Sequence, residues 1–170
     1  APSPLGPRAL LGANMAALRS VLAAHGGFAT HLGKLRGTLL SGEDDELCRR
    51  IQAAGFGARY VPGARVAHWV PATRMRLWYF LGWFYWSGIT HATIDAESAG
   101  GQPAVPLPYS YLLRQFATGL AGAATNALGG RLPRAVDRLL DSAFAAGYAA
   151  RRLGLVAQVG QPAAVLARSV

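Results

Sequence analysis

The sequence predicts an α/β unit over residues 1–70, an aromatic helical region over 71–100 and a mostly α-helical tail over 101–170. Three observations carry that expectation. Two helical patterns in the first part are followed by short extended pieces around a Pro-Gly turn. All four tryptophans fall between Trp69 and Trp86. After a Pro-rich break at 101–108 (GQPAVPLP) the chain becomes rich in Ala, Leu and Gly.

Taken in order, residues 1–8 (APSPLGPR) read as a loop or linker. A short apolar run follows from Ala9 to Ala13. Ala16 to Ala24 carries Leu18, Val21 and Leu22 at i, i+3, i+4 spacing, and Gly26-Gly27 is a helix stop, with Phe28 as an anchor after it. An irregular segment leads to Leu40. Ser41 to Leu47 then opens a second helix with four consecutive acids, Glu43 to Glu46, in the first turn, where the helix dipole favours carboxylates. Gly55 ends it. Leu47, Ile51 and Ala54 form its apolar stripe, and Asp45–Arg49 and Glu46–Arg50 are i,i+4 ion pairs. Tyr60 to Pro62 and Arg65 to His68 are the two extended pieces. Trp78 to Trp86 holds seven of the sixteen aromatic residues. The tail from Tyr109 divides into two or three helices, broken near Gly129-Gly130 and Gly154.

The chain has 170 residues, 52% of them hydrophobic and 15% charged, with a net charge of +9. So apolar a composition excludes a disordered polyelectrolyte. One cysteine, Cys48, excludes a disulfide framework and a multi-thiolate zinc site, and is expected as a small helix residue. Arginine supplies 16 of the 17 positive charges, a bias that fits a GC-rich bacterial genome. The charge divides as +4 over residues 1–70, zero over 71–100 and +5 over 101–170. The basic groups are scattered without a recognition motif, which argues against nucleic acid as partner. Attraction to anionic lipid is more natural. Leu77 to Ile94 is uncharged for eighteen residues but includes Ser87, Gly88, Thr90, His91 and Thr93, too polar for a good span. Two readings stay open for it: an interfacial segment with Arg74 and Arg76 at lipid phosphates, and an aromatic core helix covered by the tail. No signal-peptide pattern is present. The start at Ala1, with Met15 already inside patterned sequence, is what a fragment or a processed chain gives.

Alone, the acidic quartet is a solvated helix start. A calcium loop would need alternating oxygen ligands and a central glycine, and none follows Glu46. The order of motifs adds more: Gly12-Ala13-Asn14-Met15-Ala16 before a helix, Gly26-Gly27-Phe28 after it, then Gly42-Glu43-Asp44-Asp45-Glu46-Leu47-Cys48-Arg49-Arg50, Ala54-Gly55-Phe56, and Val61 to His68. In that order the sequence resembles the C-terminal, acceptor-side half of the family 2 glycosyltransferases, closely over residues 11–70, with a membrane-proximal tail. The resemblance implies the C-terminal part of a GT-A (nucleotide-diphospho-sugar transferase) fold. It also implies an inverting transfer of sugar from a nucleotide-sugar donor to an acceptor hydroxyl, on a cell-envelope or lipid-linked glycan at the cytoplasmic membrane face.

Inverting transfer needs a base at the attacking hydroxyl, and the resemblance puts Asp44 there. Glu43 would contact sugar hydroxyls and orient the base. Asn14 would line the cleft, unless it only stabilises a turn. Glu46 matches an acidic, substrate-side position of the family, although capping and its ion pair explain it as well. A divalent cation, Mg or Mn, would neutralise the leaving diphosphate, with His68 as one ligand. The chain departs from the family by having Ala29-Thr30 where an acidic pair is common, and it contains no Asp-x-Asp motif. The donor-binding half would precede Ala1, so the isolated chain is expected to be inactive and to leave apolar surface exposed where that half would pack. The competing expectation is non-enzymatic: an inactive remnant or a small membrane-associated interaction protein.

Overall fold

A computed structural model describes residues 3–5, 12–34, 37–97 and 105–156. The elements in order are β1 (Ser3–Leu5), α1 (Arg19–Ala24), α2 (Glu43–Ala53), β2 (Ala58–Tyr60), α3 (Leu77–Ala96), α4 (Tyr109–Leu128) and α5 (Leu132–Arg152), with single 3-10 turns at Gly12–Asn14 and Ala72–Arg74. Helices begin and end where local chemistry dictates. α1, α2, α4 and α5 all stop on a glycine at positive φ, namely Gly26, Gly55, Gly130 and Gly154. In each, the next amide reaches back to a carbonyl of the last turn, as Phe56 N–H does to Ile51 O (3.2 Å) and Arg131 N–H to Asn126 O (2.8 Å). α2 has no side-chain cap; the four acids of its first turn face the positive end of the dipole instead.

The three long helices make the body of the protein, with α5 packed against both α3 and α4. Small residues set how closely they cross. A Cβ on Gly147 would lie 1.9 Å from Tyr85 O, and one on Gly88 would lie 2.2 Å from Phe144 O, so α3 and α5 meet backbone to backbone. At the other crossing, a Cβ on Gly119 would meet Ser142 Oγ at 2.1 Å, and Ser142 Oγ donates to Phe116 O (3.0 Å) across the α4–α5 interface. Around the first crossing Ala92, Leu112, Ala145 and Tyr148 form one core. Tyr148 is fully buried; its hydroxyl donates to Asp95 Oδ2 (2.7 Å) and accepts Leu107 N–H (3.1 Å). Burial and the Asp95 carboxylate push its phenol above the ordinary value, against a smaller opposing pull from the Leu107 amide and Arg152.

The N-terminal part docks on α3 through a second core of Leu32, Leu40, Ile89 and Ile94. Polar ties flank it: His31 Nε2 with Glu97 Oε2 (2.9 Å), and Arg49 Nη1 with Asp95 Oδ1 (4.0 Å). Gly42 completes the joint. Its φ of +96° suits glycine, and a Cβ there would fall 2.5 Å from the Thr90 methyl. The start of the acidic helix is therefore pressed directly on α3.

This architecture corrects the expected fold class. The described residues are mostly helical and do not form an α/β GT-A unit. The only sheet among the described residues is one antiparallel pair, Ser3↔Tyr60 to Leu5↔Ala58. Arg65 to His68, expected as a strand, is exposed coil. The reason is a shortage of partners: an extended segment becomes a strand only beside another that takes its hydrogen bonds, and β2 pairs for three residues only. Ser3–Leu5, expected as loop, supplies that partner. Most of the buried surface belongs instead to α3, α4 and α5. The i,i+4 pairs Asp45–Arg49 (2.8 Å) and Glu46–Arg50 (2.7 Å) form as expected. Of the expected apolar stripe, Leu47 is fully buried, Ile51 half-buried and Ala54 exposed. Residues 9–11 of the expected apolar run Ala9 to Ala13, and the first part of the Pro-rich break, 101–104, lie outside the described residues.

The aromatic segment forms the first half of α3, which α5 packs against. From Gly88 to Ile94 it is largely buried, while Trp78 is 81% exposed and Tyr79 to Ser87 are half-buried. Among the described residues, no helix is long and apolar enough to cross a membrane.

Candidate functional site

The N-terminus of α2 brings two separated motifs to one carboxylate. Asp44 Oδ2 accepts the Gly12 N–H (2.8 Å) across 32 residues of sequence, and Asp44 Oδ1 accepts the Asp45 N–H (2.9 Å). Each oxygen keeps a further lone-pair direction for a hydroxyl proton. Gly12 is suited to this approach, since a Cβ there would sit 3.2 Å from Asp44 Oδ2.

Beside it, Glu43 turns towards Gly33. A Cβ on Gly33, whose φ is +94°, would crowd the Glu43 carboxyl at 3.3 Å. Glu43 Oε2 is shielded from solvent and has no hydrogen-bond partner among the described residues. A shielded carboxylate oxygen without a donor is an unsatisfied acceptor in the fold. Lys34 and Arg74 share its field. Lys34 is exposed as a residue, but its ammonium lies near the chain, 3.4 Å from Leu39 O. Partial burial, then the Arg74 guanidinium, hold it below the ordinary lysine value, with Glu43 pulling the other way. Sequence reading missed Lys34 and Arg74, which lie 9 and 31 residues from Glu43; Gly33 in a polar loop was the available signal, since it marks a close approach.

Asn14 and Glu46 are engaged structurally. Asn14 Nδ2 donates to Ala64 O (2.7 Å), strapping the 12–14 turn to the coil after β2. Glu46, 8% exposed, meets Arg50 by both oxygens: Oε1 with Nε (2.7 Å) and Oε2 with Nη2 (2.8 Å). The same guanidinium donates to Gly27 O (2.7 Å) and to His25 O. Glu46 and Arg50 thereby fix the Gly26-Gly27 turn, and the Glu46 hydrogen bond holds Arg50 above its ordinary value despite partial burial.

His68 stands apart on the exposed 64–70 coil. Among the described residues no three His, Cys, Asp or Glu side chains gather into a group that would hold a metal ion. His68 supplies a single imidazole on that coil.

Next to the Asn14 loop lies a cavity of 370 Å³ lined by Leu18, Val21, Leu47, Ile51, Phe56 and Val61, among others. Leu18 is 72% exposed, and Phe56 and Val61 are also open to solvent. Comparison with protein-family models, with curated proteins and with solved structures finds no match to this chain.

Proposed function

We propose that this chain carries the acceptor-side residues of an inverting sugar transferase of the family 2 type, with Asp44 as the base. The observation that carries the reading is the Gly12 N–H to Asp44 Oδ2 hydrogen bond. It joins the two most distinctive resembling motifs, Gly12 to Ala16 and Gly42 to Arg50, at one carboxylate.

In the proposed reaction, an acceptor hydroxyl donates a hydrogen bond to an Asp44 oxygen. The proton passes to that carboxylate as the hydroxyl oxygen attacks the anomeric carbon and the diphosphate leaves with the bonding pair. Two backbone N–H groups fix the carboxylate, which removes rotational freedom that the encounter would otherwise have to overcome. By resemblance, Glu43 contacts sugar hydroxyls and helps orient the base. Glu46 acts through Arg50 as a positioning residue, and Asn14 holds the cleft loop. The nucleotide-sugar donor and the acceptor, a lipid-linked or cell-envelope glycan, come from the resemblance. So does a Mg or Mn ion near His68, to which no step is assigned.

The test is transfer of labelled sugar from a panel of nucleotide-sugars to extracted lipid-linked acceptors by the protein of the complete open reading frame. Wild-type transfer that Asp44→Asn abolishes, with unchanged folding, supports the reading. Transfer that Asp44→Asn leaves intact makes the acidic quartet a helix cap and favours the non-enzymatic alternative.

A further inference from the structure

Between Leu47 and Ile94 the chain has six arginines and no carboxylate. In the middle of that stretch, the coil after β2 and the start of α3 leave large apolar side chains in solvent. Trp69 and Trp78 are each 81% exposed, Met75 66%, Val66 55% and Val70 45%. Arg65, Arg74 and Arg76 are interleaved with them and exposed. Arg74 lies over the Tyr79 ring (5.9 Å from its centroid), so a cation and an aromatic face already stand together at the base of α3.

Two indoles this open would cost solubility for no gain in folding, since neither contributes to a core. Indole rings favour the head-group zone of a bilayer, where the ring is partly dehydrated and its N–H stays solvated. Arginines beside them meet lipid phosphates. No described helix can cross a bilayer, which suits binding along the surface.

We propose that residues 65–78 form a docking surface for an anionic lipid bilayer, with Trp69 and Trp78 as insertion anchors and Arg65, Arg74 and Arg76 as phosphate contacts. The surface shares Arg74 with the surroundings of Glu43, but its test measures lipid binding alone and so fails separately from the sugar-transfer reading.

The experiment is co-sedimentation of the protein with phosphatidylcholine vesicles, with and without phosphatidylglycerol, alongside tryptophan emission. Binding to the anionic vesicles with a blue-shifted emission is expected, with weak binding to the neutral ones. Raising the ionic strength to about 1 M, where the screening length is about 3 Å, should weaken it. Trp69→Ala with Trp78→Ala should lower the partition constant at least about tenfold. Arg74→Gln with Arg76→Gln should lower it roughly fivefold per arginine. Far-UV circular dichroism checks that the variants fold; the arginine pair, which removes no apolar group, tests the surface even if the tryptophan pair destabilises the protein. Equal binding to neutral and anionic vesicles, no binding to either, or binding that both variants leave unchanged overturns the proposal. So does light scattering that finds the tryptophans holding two copies together while vesicles bind nothing.

Discussion

Replacing Gly147 by alanine tests the α3–α5 crossing with a sign as well as a size. In an isolated helix the change is favourable by about 1 kcal/mol, because alanine has less backbone entropy to lose. Here the new methyl would sit 1.9 Å from Tyr85 O, and even the tight limit of 3.0 Å requires the two backbones to part by about 1.1 Å. A backbone carbonyl inside a helix cannot turn aside as a side chain can. The strain spreads into the Ala92, Leu112, Ala145 and Tyr148 cluster. Overpacking of a core costs about 1–3 kcal/mol and more where the backbone must move. Taking the upper end of that range, about 3 kcal/mol, and subtracting the propensity gain of about 1 kcal/mol leaves a net loss of about 2 kcal/mol, or roughly 4–8 °C in Tm for a chain of this size. Gly122→Ala is the matched control. Its methyl would meet only the exposed Arg138 side chain, Cγ nearest at 3.3 Å, which can shift more readily than a backbone, so most of the gain of about 1 kcal/mol should survive. Thermal and urea melts followed by circular dichroism read both variants. Equal stability of Gly147→Ala and Gly122→Ala would refute a backbone-to-backbone crossing.

Other expectations follow from the same packing. Arg50→Ala leaves the buried Glu46 carboxylate unpaired and the Gly27 carbonyl without its donor, so stability should fall by about 2–3 kcal/mol in a urea titration. Arg50→Lys should recover little of it, because an ammonium cannot reproduce the planar fork. Tyr148→Phe loses the hydrogen bonds to Asp95 and Leu107 and should cost about 1–3 kcal/mol. The raised Tyr148 value has a pH consequence. The folded state holds the phenolic proton more tightly than the unfolded chain, so this contribution is complete below the ordinary tyrosine value and is lost as pH rises through the folded one. Wild-type stability should therefore decline from about pH 10 upward, and Tyr148→Phe should flatten that decline in melts across the range.

Much of the helical layout was legible because its signals are local. Gly26, Gly55, the Gly129-Gly130 pair and Gly154 stop helices by a backbone geometry that one residue type favours. The Asp45–Arg49 and Glu46–Arg50 pairs follow from helical spacing alone. The sheet was not legible. Tyr60 and Val66 have strand-like side chains, but pairing depends on a partner elsewhere in the sequence, and among the described residues only Ser3–Leu5 offers one. Composition did not predict the crossings either. Gly88 and Gly147 look like ordinary helix weaknesses until the two backbones are placed together. At the candidate site the pattern singled out Asp44 and Glu43, but the Gly12 amide, Gly33, Lys34 and Arg74 come beside them only in the folded chain. Glu46 was legible twice, as a substrate-side acid and as an ion-pair member, and its geometry is that of the ion pair.

The central claim is that Asp44 takes the proton in sugar transfer, and its most direct measurement is kcat for Asp44→Asn against wild type in the complete protein. The amide keeps the size of the side chain and an oxygen for the Gly12 N–H while losing the basic carboxylate. The account predicts a fall in kcat of about 10²- to 10⁴-fold with nearly unchanged melting and acceptor KM. A variant that transfers sugar at the wild-type rate would contradict it.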